Sequence, residues 1–218
     1  MNPDFTATCT AFAGIRQIAS GELRPVALQA QEVANSDRFA QVLIFDDVTS
    51  QVIEVDLRGT PEELSQRLAA MQAAAAGDRE PAPAEEGARK PGRPKLGVVA
   101  REVTLLPRHW DWLATQPGGA SVALRKLVEQ AKRANQDKDR LRFAQESAYR
   151  FMSAMAGNEP GFEEAARALF AGDRERFEKL VAPWPVDLGN HAKKLALRAF
   201  ECRAVEAERY PFVCALPS

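Results

Sequence analysis

Residues 78–97 consist of Ala, Pro, Gly and charged side chains, with almost nothing apolar to bury. A segment of that kind cannot offset its own ordering entropy, so it reads as a mobile linker and as the clearest boundary in the chain. It constrains the rest. Whatever folds upstream must do so from residues 1–77, and whatever folds downstream starts near residue 98. The hydrophobic periodicity differs on the two sides, with strand signals mixed among helices before the linker and near-continuous helical spacing after it. The expected fold class is therefore α+β, with domains at 1–77 and 98–136, the linker at 78–97 and a C-terminal helical region at 137–218.

In the first domain, β-prone residues flank Ala13-Gly14, which suggests a hairpin or bend. After Pro25, Val26, Ala27, Ala30, Val33 and Ala34 recur at helical spacing. Val42, Leu43, Ile44 and Phe45 form a short buried strand, and residues 46–50 a turn. Ile53, Val55 and Leu57 alternate with Glu54 and Asp56, the pattern of a half-buried strand. Thr60-Pro61-Glu62-Glu63 then reads as a capping box opening a helix with Leu64, Leu68 and Met71 on its apolar stripe, stopping at Gly77. A small sheet with one covering helix accounts for this part.

Charge is unevenly distributed. The net value of -1 hides six Lys and Arg against fourteen Asp and Glu in residues 1–87, and fourteen against six in residues 88–150. A basic middle behind an acidic front marks either a nucleic-acid surface or two halves that attract each other.

Residues 98–134 carry the most specific pattern. A β-prone run at 98–106 contains Val99, Val103 and Leu105, and Pro107 opens a short helix bearing Trp110, Leu113 and Ala114. Pro117-Gly118-Gly119 makes a tight connection, and Ser121 is a sound N-cap for the longer helix that follows. This order, with Arg101-Glu102-Val103-Thr104-Leu105-Leu106-Pro107 leading into the helix, resembles the ribbon-helix-helix family of dimeric DNA-binding proteins. The resemblance implies a homodimer whose paired strands enter the major groove, with the second helix offering backbone N–H groups near Ser121 to a phosphate. Leu105 and Leu106 are adjacent where that family alternates, so two registers remain. With Val103 and Leu105 inward, Glu102 and Thr104 face DNA; with Thr104 and Leu106 inward, Arg101 and Val103 do. Burial favours the first.

Immediately upstream, Arg89-Lys90-Pro91-Gly92-Arg93-Pro94-Lys95 has a Gly-Arg-Pro core that resembles an AT-hook, although Pro91 stands where the motif has Arg. Lys90, Arg93 and Lys95 would add salt-dependent affinity, with Arg93 suited to a narrow minor groove.

Catalytic and metal chemistry lack a foundation in the sequence. The two histidines, His109 and His191, have no companions at ligand spacing. Asp46 and Asp47 are explained by turn chemistry and Asp56 by a wet strand face. There is no phosphate loop and no nucleophile elbow. Aromatics at helical spacing, Trp110, Phe162, Phe170, Phe177 and Trp184, read as core, with a rigid corner at Pro183-Trp184-Pro185. Trp112, two residues from Trp110, would face a dimer partner or the C-terminal helices. No enzyme, cofactor or metal is expected.

Three scattered cysteines, no signal-like N-terminus and no membrane-length apolar run point to a cytoplasmic protein. Taken as a set, the segments 10–14, 43–47, 103–112 and 162–184 resemble an uncharacterised bacterial family, which implies origin but no activity. The functional expectation is a DNA-binding homodimer, of the kind that regulates transcription, whose N-terminal domain meets an unidentified protein or ligand. The alternative is a non-enzymatic interaction or scaffold protein whose basic module pairs with an acidic partner.

Overall fold

Cys9, Thr10, Ala11 and Phe12 are consecutive and all buried, which a strand achieves when both faces of its sheet are covered. The structure, a computed structural model, describes residues 8–37, 39–77 and 101–209. The linker expected at 78–97 lies outside the described residues. The architecture is mixed α+β. The described residues up to Gly77, with those from Asp137 onward, form one compact unit, and those of 101–136 form a second.

In the first unit, strand β1 (Cys9–Ala13) is central, between β2 (Arg16–Gly21) and β3 (Val42–Asp46), and antiparallel to both. Gly14, at φ +56°, turns the hairpin from β1 to β2. Alternation along β1 and β3 divides their side chains between two cores. Cys9, Ala11 and Ile44 face α1 (Leu23–Ser36) and α2 (Pro61–Gly77), where Val26, Ala27, Ala30, Leu64 and Leu68 close the layer. Phe12 and Phe45 face the opposite way, onto Phe151 and Met152 and the C-terminal helices. The sheet is thus covered twice, where one covering helix was expected.

The Thr60–Glu63 capping box is present as anticipated: Thr60 N donates to Glu63 Oε2 at 2.9 Å and Glu63 N to Thr60 Oγ1 at 3.3 Å. The strand expected over residues 53–57 is not. Ile53 N donates to Ile44 O at 2.7 Å and a single bridge joins Phe45 to Val52, after which the ladder ends. Ile53, Val55 and Leu57 still turn inward against the α1–α2 layer, so the alternation reported burial correctly without a pairing partner.

The helical part comprises α3 (Pro107–Ala114), α4 (Gly119–Met155), α5 (Phe162–Ala171), α6 (Arg174–Val181) and α7 (Val186–Arg209). Left-handed Gly172 ends α5, and Asp173 caps α6 by accepting from Arg176 N at 3.0 Å. Trp184 fills the Pro-rich corner and donates from Nε1 to Pro160 O at 2.9 Å. Among the described residues no helix is long and apolar enough to cross a membrane.

Candidate functional site

Two places in the chain gather chemistry-bearing residues. The first is the second unit. Leu106 holds an extended conformation and Pro107 starts α3, which buries Leu113. Gly118 and Gly119 follow at φ +87° and +75°, and a Cβ on Gly118 would lie 3.2 Å from Val122 Cβ, so the turn requires glycine. Helix α4 begins at Gly119, which corrects the expected cap: Ser121 is the third helical residue, exposed, and its carbonyl accepts from Arg125 Nε at 3.1 Å.

Arg101, Glu102 and Thr104 are exposed together on the irregular segment before α3. The strand expected over 98–106 is absent from its described part, 101–106, where no ladder forms within one chain. Leu105 is half-buried, while Val103 and Leu106 are 55% and 48% exposed, so a lone chain satisfies neither register in full. Lys90, Arg93 and Lys95 lie outside the described residues.

The second place is the turn after β3. Asp46 behaves as turn chemistry requires, its Oδ1 accepting from Val48 N, Thr49 N and Thr49 Oγ1 at 3.0, 2.6 and 2.8 Å. Asp47 does not. Its side chain is buried and accepts from Thr8 Oγ1 at 3.1 Å, Thr10 Oγ1 at 2.6 Å and Lys194 Nζ at 2.9 Å, while Arg198 bonds its carbonyl. Burial alone would raise its pKa. The bonds from Thr10 and Lys194, the Lys194 charge and the Thr8 bond outweigh burial and hold it below the ordinary value. A carboxylate so engaged ties the sheet to α7.

The same turn is fastened to α4. Ser147 Oγ donates to Val48 O at 2.9 Å and lies 2.9 Å from Ser50 Oγ, and Arg150 bonds Thr49 O. Beside it His191 sits against Phe12 and Phe151, ring centroids 5.4 and 4.5 Å away, with Nε2 buried and without a hydrogen-bond partner among the described residues. Burial lowers its pKa to about 4, with Lys194 and Arg198 adding to the effect and Asp47 opposing it. It is a neutral aromatic of the core at neutral pH, with none of the access a general base needs.

The Asp47 cluster escaped the sequence reading because Lys194 and Arg198 are 147 and 151 positions from it. One signal was available: Thr10 shares its strand face with Phe12, and a hydroxyl on a buried apolar face requires a partner. Among the described residues no group of three His, Cys, Asp or Glu side chains is placed to hold a metal ion.

Residues 8–196 match the model of a family described as an uncharacterized protein conserved in bacteria, DUF2239. Neither a curated protein nor a solved structure matches the chain.

Proposed function

We propose that the chain, which belongs to the bacterial family DUF2239, binds DNA as a homodimer through the unit at 101–136 and acts as a transcriptional regulator. One observation carries the reading. Among the described residues of that unit the buried apolar side chains are Leu113 and Ala123, while Val103, Leu106, Trp110, Trp112, Leu127 and Val128 are 42–62% exposed. Two small contacts do not make a core, and an apolar set of that size on one short unit calls for a covering partner. In a ribbon-helix-helix arrangement a second copy covers it, pairing the segments before α3 and packing the four helices together.

The charge supports DNA as the ligand. Arg101, Arg125, Lys126, Lys132 and Arg133 are all exposed on this unit, and in the sequence Lys90, Arg93 and Lys95 precede it. Glu102 would sit poorly beside phosphates, so backbone contacts would dominate and base readout be sparse.

The test is fluorescence-polarisation titration of the full chain with random duplex DNA across a salt series, beside a Lys90/Arg93/Lys95 triple-Ala variant. Tight binding with a steep salt slope that flattens in the variant supports the reading. Absence of binding at low salt removes it, and the exposed apolar and basic surface then belongs to a protein partner.

A further inference from the structure

A groove of about 470 Å³ opens between α6 and α7 and has no part in the DNA reading. Its α7 wall is a single stripe, since Asn190, Lys193, Leu197 and Phe200 recur three or four residues apart. The stripe is polar at its N-terminal end and apolar at the other. Half-buried Phe200 and exposed Leu197 line the apolar end, and the fully buried Phe177 of α6 backs Phe200 edge-on, with ring centroids 5.7 Å apart.

The charges lining the groove almost cancel, with one exception. Arg174 Nε pairs with Glu178 Oε1 at 2.7 Å, and Lys194 Nζ is turned to Asp47 at 2.9 Å. Lys193 is half-buried and has no ion-pair partner among the described residues. One uncompensated cation beside a side-chain amide and an apolar end selects an occupant with one negative charge and a flat apolar body. The dimensions fall within the range of small-molecule sites, where a few placed polar groups orient a largely apolar ligand.

We infer that the α6–α7 groove binds a small aromatic monocarboxylate, its carboxylate held by Lys193 and Asn190 and its ring laid against Leu197 and Phe200. A dianion would leave a second charge unmatched, and a neutral aromatic would leave Lys193 without its counter-ion. The site is independent of DNA binding and stands or falls without it.

The experiment is fluorine-NMR titration of the full chain with 4-fluorobenzoate, compared with 4-fluorobenzyl alcohol and with competition by inorganic phosphate. The expected result is saturable broadening by the benzoate, weak or absent effects from the alcohol, and no displacement by phosphate at equal concentration. Lys193→Met keeps the apolar stem and removes the charge, and it should weaken binding at least about tenfold, the scale of one charged hydrogen bond. Lys138→Met, at an exposed position of α4, should leave it unchanged, and circular dichroism should show both variants folded. Non-saturable broadening overturns the proposal, as does equal binding of the alcohol, displacement by phosphate, or a folded Lys193→Met variant that binds like the parent. Should Lys193→Met fail to fold, Leu197→Asp supplies the test by placing a carboxylate at the apolar end. Unaltered benzoate binding there would equally overturn the assignment.

Discussion

Lys194 Nζ reaches across 147 positions of sequence to Asp47 Oδ2 at 2.9 Å, joining the last helix to the turn that follows the third strand. The two ends of this pair differ in environment: the Asp47 side chain is 3% exposed and that of Lys194 47%. Removing either end is therefore unequal. Without Asp47 the lysine can turn to water, whereas without Lys194 a buried carboxylate loses its countercharge.

Lys194→Met should accordingly destabilise the protein at neutral pH by about 2 kcal/mol, below the cost of breaking a fully buried pair because water screens the lysine end. Asp47 is held below its ordinary pKa in the parent, so its contribution is present above that value and disappears as pH falls through the folded pKa. The gap between parent and variant should narrow in acid. Urea denaturation at pH 7 and below pH 4 checks this, and a gap that stays constant would assign the loss to packing.

His191 governs a different window. Its folded pKa of about 4 lies below the ordinary 6.5, so the unfolded chain takes up the proton first as pH falls. Stability should be full above pH 6.5, decline between 6.5 and 4, and lose on the order of 3 kcal/mol in all. Asp47, with its lowered pKa, contributes its own loss below this window. His191→Phe, set among Phe12 and Phe151, should flatten the decline between pH 6.5 and 4. Chemical denaturation across that range decides it, and an unchanged slope in the variant would place the titrating group elsewhere.

Helix α2 offers a local test. Its capping box leaves Thr60 and Glu63 at the surface, while Leu64 and Leu68 of the same helix are buried against β1 and α1. Thr60→Ala should cost about 1 kcal/mol, and adding Glu63→Ala should cost less than the sum of the singles because the two bonds are reciprocal. A double-mutant cycle in urea reads the coupling directly; strict additivity would mean that the box does not act as a unit.

Local features such as this box were legible in the sequence because their causes are local. The Gly14 hairpin, the Thr60 cap, the Gly172-Asp173 break and the Trp184 corner each depend on residues within a few positions of one another. What could not be read was the second covering of the sheet. Phe12 and Phe45 are one residue away from Ala11 and Ile44, and alternation shows that they face the other way without showing what they face. Phe151, their partner at 5.4 and 5.3 Å, lies more than 100 positions further along the chain. In the candidate site the same limit applied: Pro107 and the Gly118-Gly119 turn were visible because their causes are local, whereas the strand expected at 98–106 forms no ladder in its described part.

Cys9 should be chemically silent in the folded protein. It is fully buried on β1, and burial, with Asp47 and Asp46 nearby, pushes its thiol up to about 12, so almost no thiolate exists at pH 8. In a Cys202→Ser/Cys214→Ser background, a disulfide reagent should label Cys9 only as fast as the protein unfolds. Rapid labelling without denaturant would mean that β1 opens locally.

The segment before α3 gives the sharpest test of assembly. Val103 and Leu106 are exposed in a single chain, so replacing both with Lys removes little that the isolated fold uses. In a paired ribbon the same change sets one cation from each chain into the small interface whichever register holds, Lys at 103 in the first and Lys at 106 in the second, where like charges repel and cannot be solvated. Sedimentation equilibrium should therefore find the parent at twice the 23.9 kDa chain mass and the double-Lys variant at one chain, with unchanged helical circular dichroism. DNA affinity should fall with the dimer even though the variant is more basic, because added charge alone would raise it. If the variant stays dimeric, the ribbon is not the interface; if it becomes monomeric and binds DNA more tightly, binding needs no dimer.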